Sequence, residues 1–225
     1  NGGVSFSPQG VGTTYTLGSD IVLVHFSSDG SALENATFWG GNGNDGVNTA
    51  PGLKFNYADE FRGEIDIAPN GNIVVVGTTL SDNFPTTLPN PSGGMQDAFI
   101  TVWDHQLSSV IFSKKLGGTE DESGCSVAFD STGNIFICGG TQSDDFQMTL
   151  GCLQIQNNGG VSDGWVVKLN MSGSQISGTY LGTNVYDQLY FIDTDEQGRP
   201  FVYGQSLASG NSWIQNVTWS QINSG

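Results

Sequence analysis

This sequence has little positive charge, little cysteine and no long apolar run, and each shortage excludes a class of protein. Six Lys and Arg residues face 22 Asp and Glu residues, which gives a net charge of −16. A polyanionic surface repels nucleic acid and anionic lipid, so neither is an expected partner. No apolar stretch approaches the roughly 18–20 residues of a membrane span, so membrane insertion is not expected. Three Cys residues are too few, and odd in number, for a disulfide scaffold.

Glycine, β-branched and aromatic residues are abundant instead. Gly contributes 33 of 225 residues, and aromatic residues make up 11% of the chain, whereas charged residues make up 12%. This composition is not that of a disordered chain, and it favours an all-β secreted protein. The chain begins at Asn1 without Met or a signal peptide and stops at Gly225, which indicates a mature or excised piece.

Two signatures alternate along the chain. The first is an Asp, an alternating apolar run, a turn and a second run that ends in Gly. Its leading aspartates are Asp20, Asp97 and Asp163. The second is a short strand, a tight turn and another strand. Its turn glycines are Gly71, Gly133 and Gly198. Glycine is expected there because such turns need a positive φ. Each signature predicts a β-hairpin, so the two together give four strands.

Four antiparallel strands repeated every roughly 40–65 residues are typical of β-propeller blades. The predicted fold is therefore all-β, a partial β-propeller with about three to four four-stranded antiparallel blades of a larger ring. The predicted divisions are a strand or loop of a preceding blade (1–19), blade units 20–96, 97–162 and 163–211, and the start of a fourth unit (212–225). Because closed propellers usually need four to eight blades, we expect the rest of the same polypeptide to complete the ring.

The first unit is longer than the others. Asp20 and Gly71 are 51 positions apart, whereas Asp97 and Gly133 are 36 apart. The additional residues lie in VNTAPGLKFNYADEF (residues 47–61), between the two hairpins.

The second signature resembles a known family of repeats. GNIVVVGTTLSDNFPTT (residues 71–87) and GNIFICGGTQSDDF (residues 133–146) resemble bacterial β-propeller repeats of the SBBP type. The D-A-F-hydrophobic companion pattern of that family matches residues 97–100, and a variant of it matches residues 163–169. The longer first unit is also similar to propeller regions of large secreted Bacteroidetes proteins, which leave by the type IX secretion system and often end in gliding-motility-associated or sorting domains. The resemblance implies an extracellular or cell-surface location.

The recurrence of the leading aspartates argues against catalysis, which needs one site rather than one per unit. We interpret Asp20, Asp97 and Asp163 as structural residues that accept backbone N–H bonds and tie the loop of the adjacent blade. The two histidines, His25 and His105, fall at different repeat positions, and no common hydrolase or phosphate-binding motif is present. We therefore assign no catalytic or cofactor-binding residue and expect no enzyme.

The stretch GGNGNDGVN (residues 40–48) fits the GGxGxDxUx calcium nonapeptide of parallel β-helices. Only one copy is present, so no neighbouring copy can supply the other ligands. Gly40 and Gly41 align with Gly117 and Gly118, and we interpret the residues after them as a variable acidic loop. The one metal candidate is a weak Ca²⁺ site that uses Asp45 and backbone carbonyls.

The paired strands of one predicted hairpin carry Cys125 and Cys138. A two-residue turn would place them face to face, whereas a G1 bulge at Gly133 would place Cys125 opposite Gly139. We favour free, buried thiols, and Cys152 has no evident partner. Trp39, Trp103 and Trp165 are expected in the core, although Trp39 precedes a loop where an aromatic ring could stack on a sugar.

The leading functional hypothesis is a non-enzymatic scaffold or interaction segment of a large secreted or surface-anchored bacterial protein, with a protein or a surface glycan as partner. The alternatives are a carbohydrate- or protein-binding adhesin and an enzyme whose site lies at the propeller mouth. An exposed aromatic cluster at one mouth would favour the adhesin, because fold alone does not decide function.

Overall fold

The computed structural model describes residues 18–89 and 93–209, and within them it contains β-strands and two short 3-10 helices. The strands are β1 (Ile21–Phe26), β2 (Leu33–Trp39), β3 (Glu64–Ile67), β4 (Ile73–Thr79), β5 (Asp97–Trp103), β6 (Val110–Leu116), β7 (Glu122–Phe129), β8 (Ile135–Thr141), β9 (Asp163–Leu169), β10 (Gln175–Leu181), β11 (Asp187–Thr194) and β12 (Pro200–Ser206). The 3-10 helices are Pro51–Leu53 and Tyr57–Phe61. No helix in these ranges is long and apolar enough to cross a membrane.

The strands form four successive antiparallel sheets. Two are complete four-stranded sheets, in the orders β3-β4-β5-β6 and β7-β8-β9-β10. They are flanked by two half-sheets, β1-β2 and β11-β12. This all-β arrangement, with almost no helix, confirms the predicted fold class of a partial propeller.

The sheets and the sequence repeat are offset by one hairpin. The predicted unit 20–96 contributes β1 and β2 to one sheet and β3 and β4 to the next, and the other units are divided in the same way. The reason is that β4 and β5 pair along their whole length, from Ile73 opposite Trp103 to Thr79 opposite Asp97. Each complete sheet therefore joins the second hairpin of one unit to the first hairpin of the following unit, so sheets do not coincide with the predicted units.

The tight turns have the backbone conformation that their glycines suggest. Gly71, Gly133 and Gly198 have φ values of 85°, 84° and 71°. In the turn between β5 and β6 the left-handed position is held by Leu107, with φ 55°, whose side chain is buried.

The core lies between the sheets, so central strands are buried on both faces. All seven residues of β4 are buried, which explains why its sequence, IVVVGTT, does not alternate. Val74 and Val76 belong to a cluster that includes Ile135 and Ile137 of the following sheet. The predicted core tryptophans are buried, and Trp39 packs edge-on against Trp103, 4.8 Å between ring centroids. Core packing therefore accounts for Trp39.

Candidate functional site: an axial groove and the joints between sheets

The first strands of three successive sheets, β3, β7 and β11, line a cavity together with β12. We call this cavity, with a volume of about 690 Å³, the axial groove. Its lining includes three carboxylates and four aromatic rings, namely Glu64, Asp66, Asp193, Phe129, Phe191, Phe201 and Tyr203. The size suits a small ligand or a segment of a partner.

A chain of hydrogen bonds ties the groove-lining strands together. Ser126 Oγ on β7 donates to Glu64 Oε2 on β3 at 2.5 Å, and the Val127 N–H donates to the same oxygen at 2.8 Å. Ser126 Oγ in turn accepts the Ile192 N–H of β11 at 3.1 Å. Because Ser126 bonds to both neighbouring strands, the shape of the groove is fixed by side chains of its own wall.

The additional residues of the first unit form an insertion (residues 47–63) that contains both 3-10 helices. Its anchor is Asp59, which is fully buried. Asp59 Oδ2 accepts the N–H groups of Phe55 and Asn56 at 2.9 and 2.8 Å, and it accepts the hydroxyl of Tyr190 on β11 at 3.2 Å. The Arg62 guanidinium stacks on the Tyr190 ring, 4.7 Å from its centroid. The insertion therefore connects the first repeat to β11, the first strand of the last half-sheet.

A second carboxylate recurs in the chain that leads from each sheet into the next, and we call these residues the joint carboxylates. They are Asp45, Glu122 and Asp187. Each accepts the backbone N–H of the residue four positions earlier, at 2.7, 3.0 and 2.5 Å. Each also follows a loop glycine by five positions, namely Gly40, Gly117 or Gly182. The stretch varies between repeats, as interpreted, but these hydrogen bonds hold its acidic position constant.

The second signature ends in a T-x-S-x-D-F pattern, as in residues 141–146, and the polar side chains of this pattern form hydrogen bonds at the joints. Thr79 Oγ1 and Ser81 Oγ donate to the two oxygens of Asp45 at 2.5 and 2.9 Å. Thr141 Oγ1 donates to Glu122 in the same manner, at 2.5 Å. Asp145 accepts the Thr119 N–H at 2.9 Å. The signature thus encodes hydrogen bonds that connect one sheet to the loop leading into it.

The leading aspartates face the joint carboxylates. A Cβ on Gly40 would lie 2.5 Å from both Asp20 Oδ1 and Asp45 Oδ2, and a Cβ on Gly117 would lie within 3.0 Å of both Asp97 Oδ1 and Glu122 Oε2. Glycine is needed at these loop positions because any side chain would overlap the two carboxyl groups.

The outer contacts of the leading aspartates differ between sheets. Asp97 Oδ2 binds the ammonium group of Lys115 at 3.0 Å. Asp163 Oδ2 accepts the Asn158 N–H at 2.8 Å and the side-chain amide of Gln154 at 3.1 Å. The expected backbone bond to a loop is therefore present at Asp163, whereas a lysine takes this position at Asp97.

Burial raises the pKa values of these carboxyl groups. It is the main cause of the raised pKa of Asp45, to which the charge of Asp20 adds. Burial raises the pKa of Glu122 to about 8, with a further contribution from the charge of Asp97. Burial likewise raises the pKa of Asp163 to about 6, with a contribution from the charge of Asp187.

Both carboxylate oxygens of the calcium candidate, Asp45, accept hydrogen bonds from groups of the protein. Oδ1 accepts the hydroxyl of Thr79, and Oδ2 accepts Ser81 Oγ and the Gly41 N–H. Among residues 18–89 and 93–209, no group of three or more His, Cys, Asp or Glu side chains is arranged to hold a metal ion. The weak Ca²⁺ site stays a prediction, and its carboxylate already has a structural role.

The cysteines are free thiols, as favoured. Neither predicted register is found, because Cys125 lies at a bulge: Gly124 faces Gly139 and Ser126 faces Cys138. Burial raises the pKa of Cys125 to about 11. Cys125 is therefore a poor nucleophile.

The histidines lie on different elements. His25 is on β1, with Nε2 3.3 Å from Glu34 of β2, and His105 is in the turn after β5. Two acidic stretches of the sequence, residues 120–122 and 144–145, come together at one joint. There Glu122, Asp145 and Ser143 accept hydrogen bonds from successive backbone N–H groups of the loop 118–120.

Residues 111–147, which contain β6 to β8, match the family model of the SBBP β-propeller repeat. The match includes the connection from β6 to β7, with Gly117 and Glu122, and the Thr141 that binds Glu122. No curated protein matches the chain. A repeat of this family suggests a structural or interaction scaffold.

Proposed function

We propose that this chain is a non-enzymatic segment of a β-propeller that acts as a scaffold and interaction module in a larger extracellular bacterial protein. The observation that carries the proposal is the pair of half-sheets that flank two complete sheets. Phe136 and Cys138 of β8 are buried against Leu189 and Ile192 of the following sheet. The corresponding residues of β12, Phe201 and Tyr203, are 61% and 67% exposed.

The internal repeat indicates what would cover this face. A following sheet of the same kind would bury Phe201 and Tyr203 in the way that the half-sheet β11-β12 buries Phe136 and Cys138. The opposite half-sheet also exposes apolar side chains, at Val22 and Phe26 of β1. Exposed apolar faces at both ends favour further repeats on both sides, supplied by the same polypeptide.

The experiment compares this chain with a longer chain that carries the flanking repeats. We expect a higher melting temperature and strong hydrogen-exchange protection of β12 and β1 in the longer chain. A longer chain in which both strands exchange as fast as in the short chain would contradict the proposal.

The use of the recurring polar residues supports a non-enzymatic role. The Thr, Ser and acidic residues of the joints donate to or accept from one another, as in the bonds of Thr79 and Ser81 to Asp45. An enzyme would need a site from residues that break the repeat, such as His25 and His105. Detection of turnover that is lost in His25→Ala or His105→Ala would overturn this part.

We further propose an extracellular or cell-surface location, with secretion by the type IX system. The support is the resemblance of the repeats to propeller regions of such proteins and the strongly acidic composition. Protease treatment of intact source cells should degrade the protein. Protection from protease until the cells are lysed would contradict a surface location.

A carbohydrate-binding adhesin is the second candidate, and one observation favours it. The insertion exposes three aromatic side chains, Phe55, Tyr57 and Phe61. Tyr57, which is 82% exposed, lies 6.1 Å from Phe61 between ring centroids. A glycan array with the wild type and with Tyr57→Ala tests this function. Phe26→Ala, which removes an exposed ring from strand β1, is the control. An array without hits would count against it.

A further inference from the structure

We propose that the pairs Asp97–Glu122 and Asp163–Asp187 are proton-locked joints, in which one proton held by each pair keeps successive sheets together and its loss at raised pH loosens them. This device goes beyond the scaffold role, because it makes the contact between sheets respond to pH.

Each pair connects two sheets. Asp97 begins β5 in the first complete sheet, and Glu122 begins β7 in the second. Asp163 begins β9 in the second complete sheet, and Asp187 begins β11 in the half-sheet that follows. All four residues are buried. A charge that appears in either pair is therefore placed at the contact between two sheets.

The Asp163 carboxyl group shows the need for a proton directly. Its Oδ2 accepts two hydrogen bonds, whereas its Oδ1 is buried with no hydrogen-bond partner. A buried carboxylate oxygen without a donor is destabilising. A proton on Asp163 removes one of two like charges at this contact and the cost of burying an unsolvated carboxylate.

The charged groups around each pair are few. Glu122 faces Asp97 of β5, and Lys115 reaches the pair through its bond to Asp97. Within the sheet of Glu122, its charge acts on the Tyr180 hydroxyl together with those of Asp145 and Asp144. Asp187 lies beside Asp163, because its N–H donates to the carbonyl of the preceding residue, Ser162, at 2.9 Å, and its charge acts on Asp163. Lys115 offsets the charge of Asp97, so the first pair is neutral when Glu122 keeps its proton. The residue of β10 in the place of Lys115 is Tyr180, whose hydroxyl donates to the carbonyl of Ser143.

The pH window follows from the raised pKa values. A carboxyl group whose pKa is higher in the folded state than in the unfolded state binds its proton more tightly when folded. Its contribution to stability is therefore full below the unfolded pKa and is lost as pH rises to the folded pKa. For Asp163 the window runs from 3.8 to about 6, and for Glu122 from 4.5 to about 8.

The test measures melting temperature between pH 5 and pH 8.5 for the wild type, Glu122→Gln, Asp163→Asn and the double variant. The neutral amides imitate the protonated groups. We expect the wild-type melting temperature to fall by several degrees across this range and the double variant to lose at least half of that fall. Glu60→Gln, which removes a half-exposed partner of Lys54, is the control and should keep the wild-type slope.

A wild-type melting temperature that is flat or rises over this range, or a double variant with the wild-type slope, would overturn the proposal. A second measurement covers the case in which a variant does not fold. Carbon-13 NMR of the wild-type protein should show the Glu122 side-chain carboxyl carbon titrating well above pH 6. Titration of both Glu122 and Asp163 below pH 5 would also overturn it.

Discussion

Tyr190 donates a hydrogen bond to Asp59, which lies 131 positions earlier in the chain, at a distance of 3.2 Å. The bond joins the insertion of the first repeat to the strand β11 of the last half-sheet. Tyr190 also shares a hydrogen bond with the hydroxyl of Tyr186 at 2.9 Å, so the anchor belongs to a buried polar network. Such networks are sensitive to the loss of one member, because the remaining groups stay buried without a partner.

Tyr190→Phe should therefore release the insertion without unfolding the sheets. We expect a loss of about 1–3 kcal/mol in the free energy of unfolding, typical of a buried polar group left without its partner. Hydrogen exchange should increase in residues 47–63, and chemical denaturation gives the energy. Tyr57→Phe removes a hydroxyl from an exposed side chain of the same insertion and should change stability by less than about 0.5 kcal/mol. Equal losses in both variants would contradict the anchoring role.

Gly117 lies between two carboxyl groups, so even one methyl group does not fit beside it. The Cβ of Gly117→Ala would lie within 3.0 Å of Asp97 Oδ1 and Glu122 Oε2. We expect a loss of about 1–3 kcal/mol, as for other overpacked sites. Gly93→Ala is the matched control, because its Cβ would have no neighbour closer than 3.9 Å. Thermal denaturation of both variants checks the difference, and a stable Gly117→Ala protein would show that the joint has free space.

Lys115 supplies the positive charge of the first joint. Its ammonium group lies 3.0 Å from Asp97 Oδ2, and both side chains are buried. Lys115→Met leaves the aspartate without its cation, which typically costs about 3–5 kcal/mol at buried pairs. Lys54→Met, which removes a half-exposed partner of Glu60, should cost at most about 1 kcal/mol. Urea denaturation at neutral pH compares the two, and similar losses would mean that Asp97 finds another donor.

The repeat in the sequence predicts the hairpins well, because their signals are local. The turn glycines at 71, 133 and 198 have the expected positive φ, and the apolar runs on either side form the expected strands. The grouping of hairpins into sheets is not local. The pairings of β4 with β5 and of β8 with β9 decide it, and both cross the boundary between two sequence units.

The joint carboxylates could have been found from the sequence. Each stands five positions after a loop glycine, but the residue type changes from Asp45 to Glu122 and back to Asp187. Most of the intervening residues differ between repeats, which hides a position that the hydrogen bonds keep constant. The contact of the insertion with Tyr190 could not have been found, because nothing in residues 47–63 indicates which distant strand they meet.

The three thiols should differ in reactivity because they differ in burial. Cys125 and Cys138 are buried, whereas Cys152 is partly exposed. Burial raises the pKa values of Cys125 and Cys138, so at neutral pH both remain protonated and unreactive. A thiol reagent such as Ellman's should therefore modify one thiol per folded chain and three after denaturation. Cys152→Ser should abolish the reaction of the folded protein. The side chain of Gln188 on β11 donates hydrogen bonds to Ser123 and Cys125 on β7 and so helps to keep these thiols covered. Rapid modification of the Cys152→Ser variant would contradict this, because it would show that the contact between β7 and β11 opens readily.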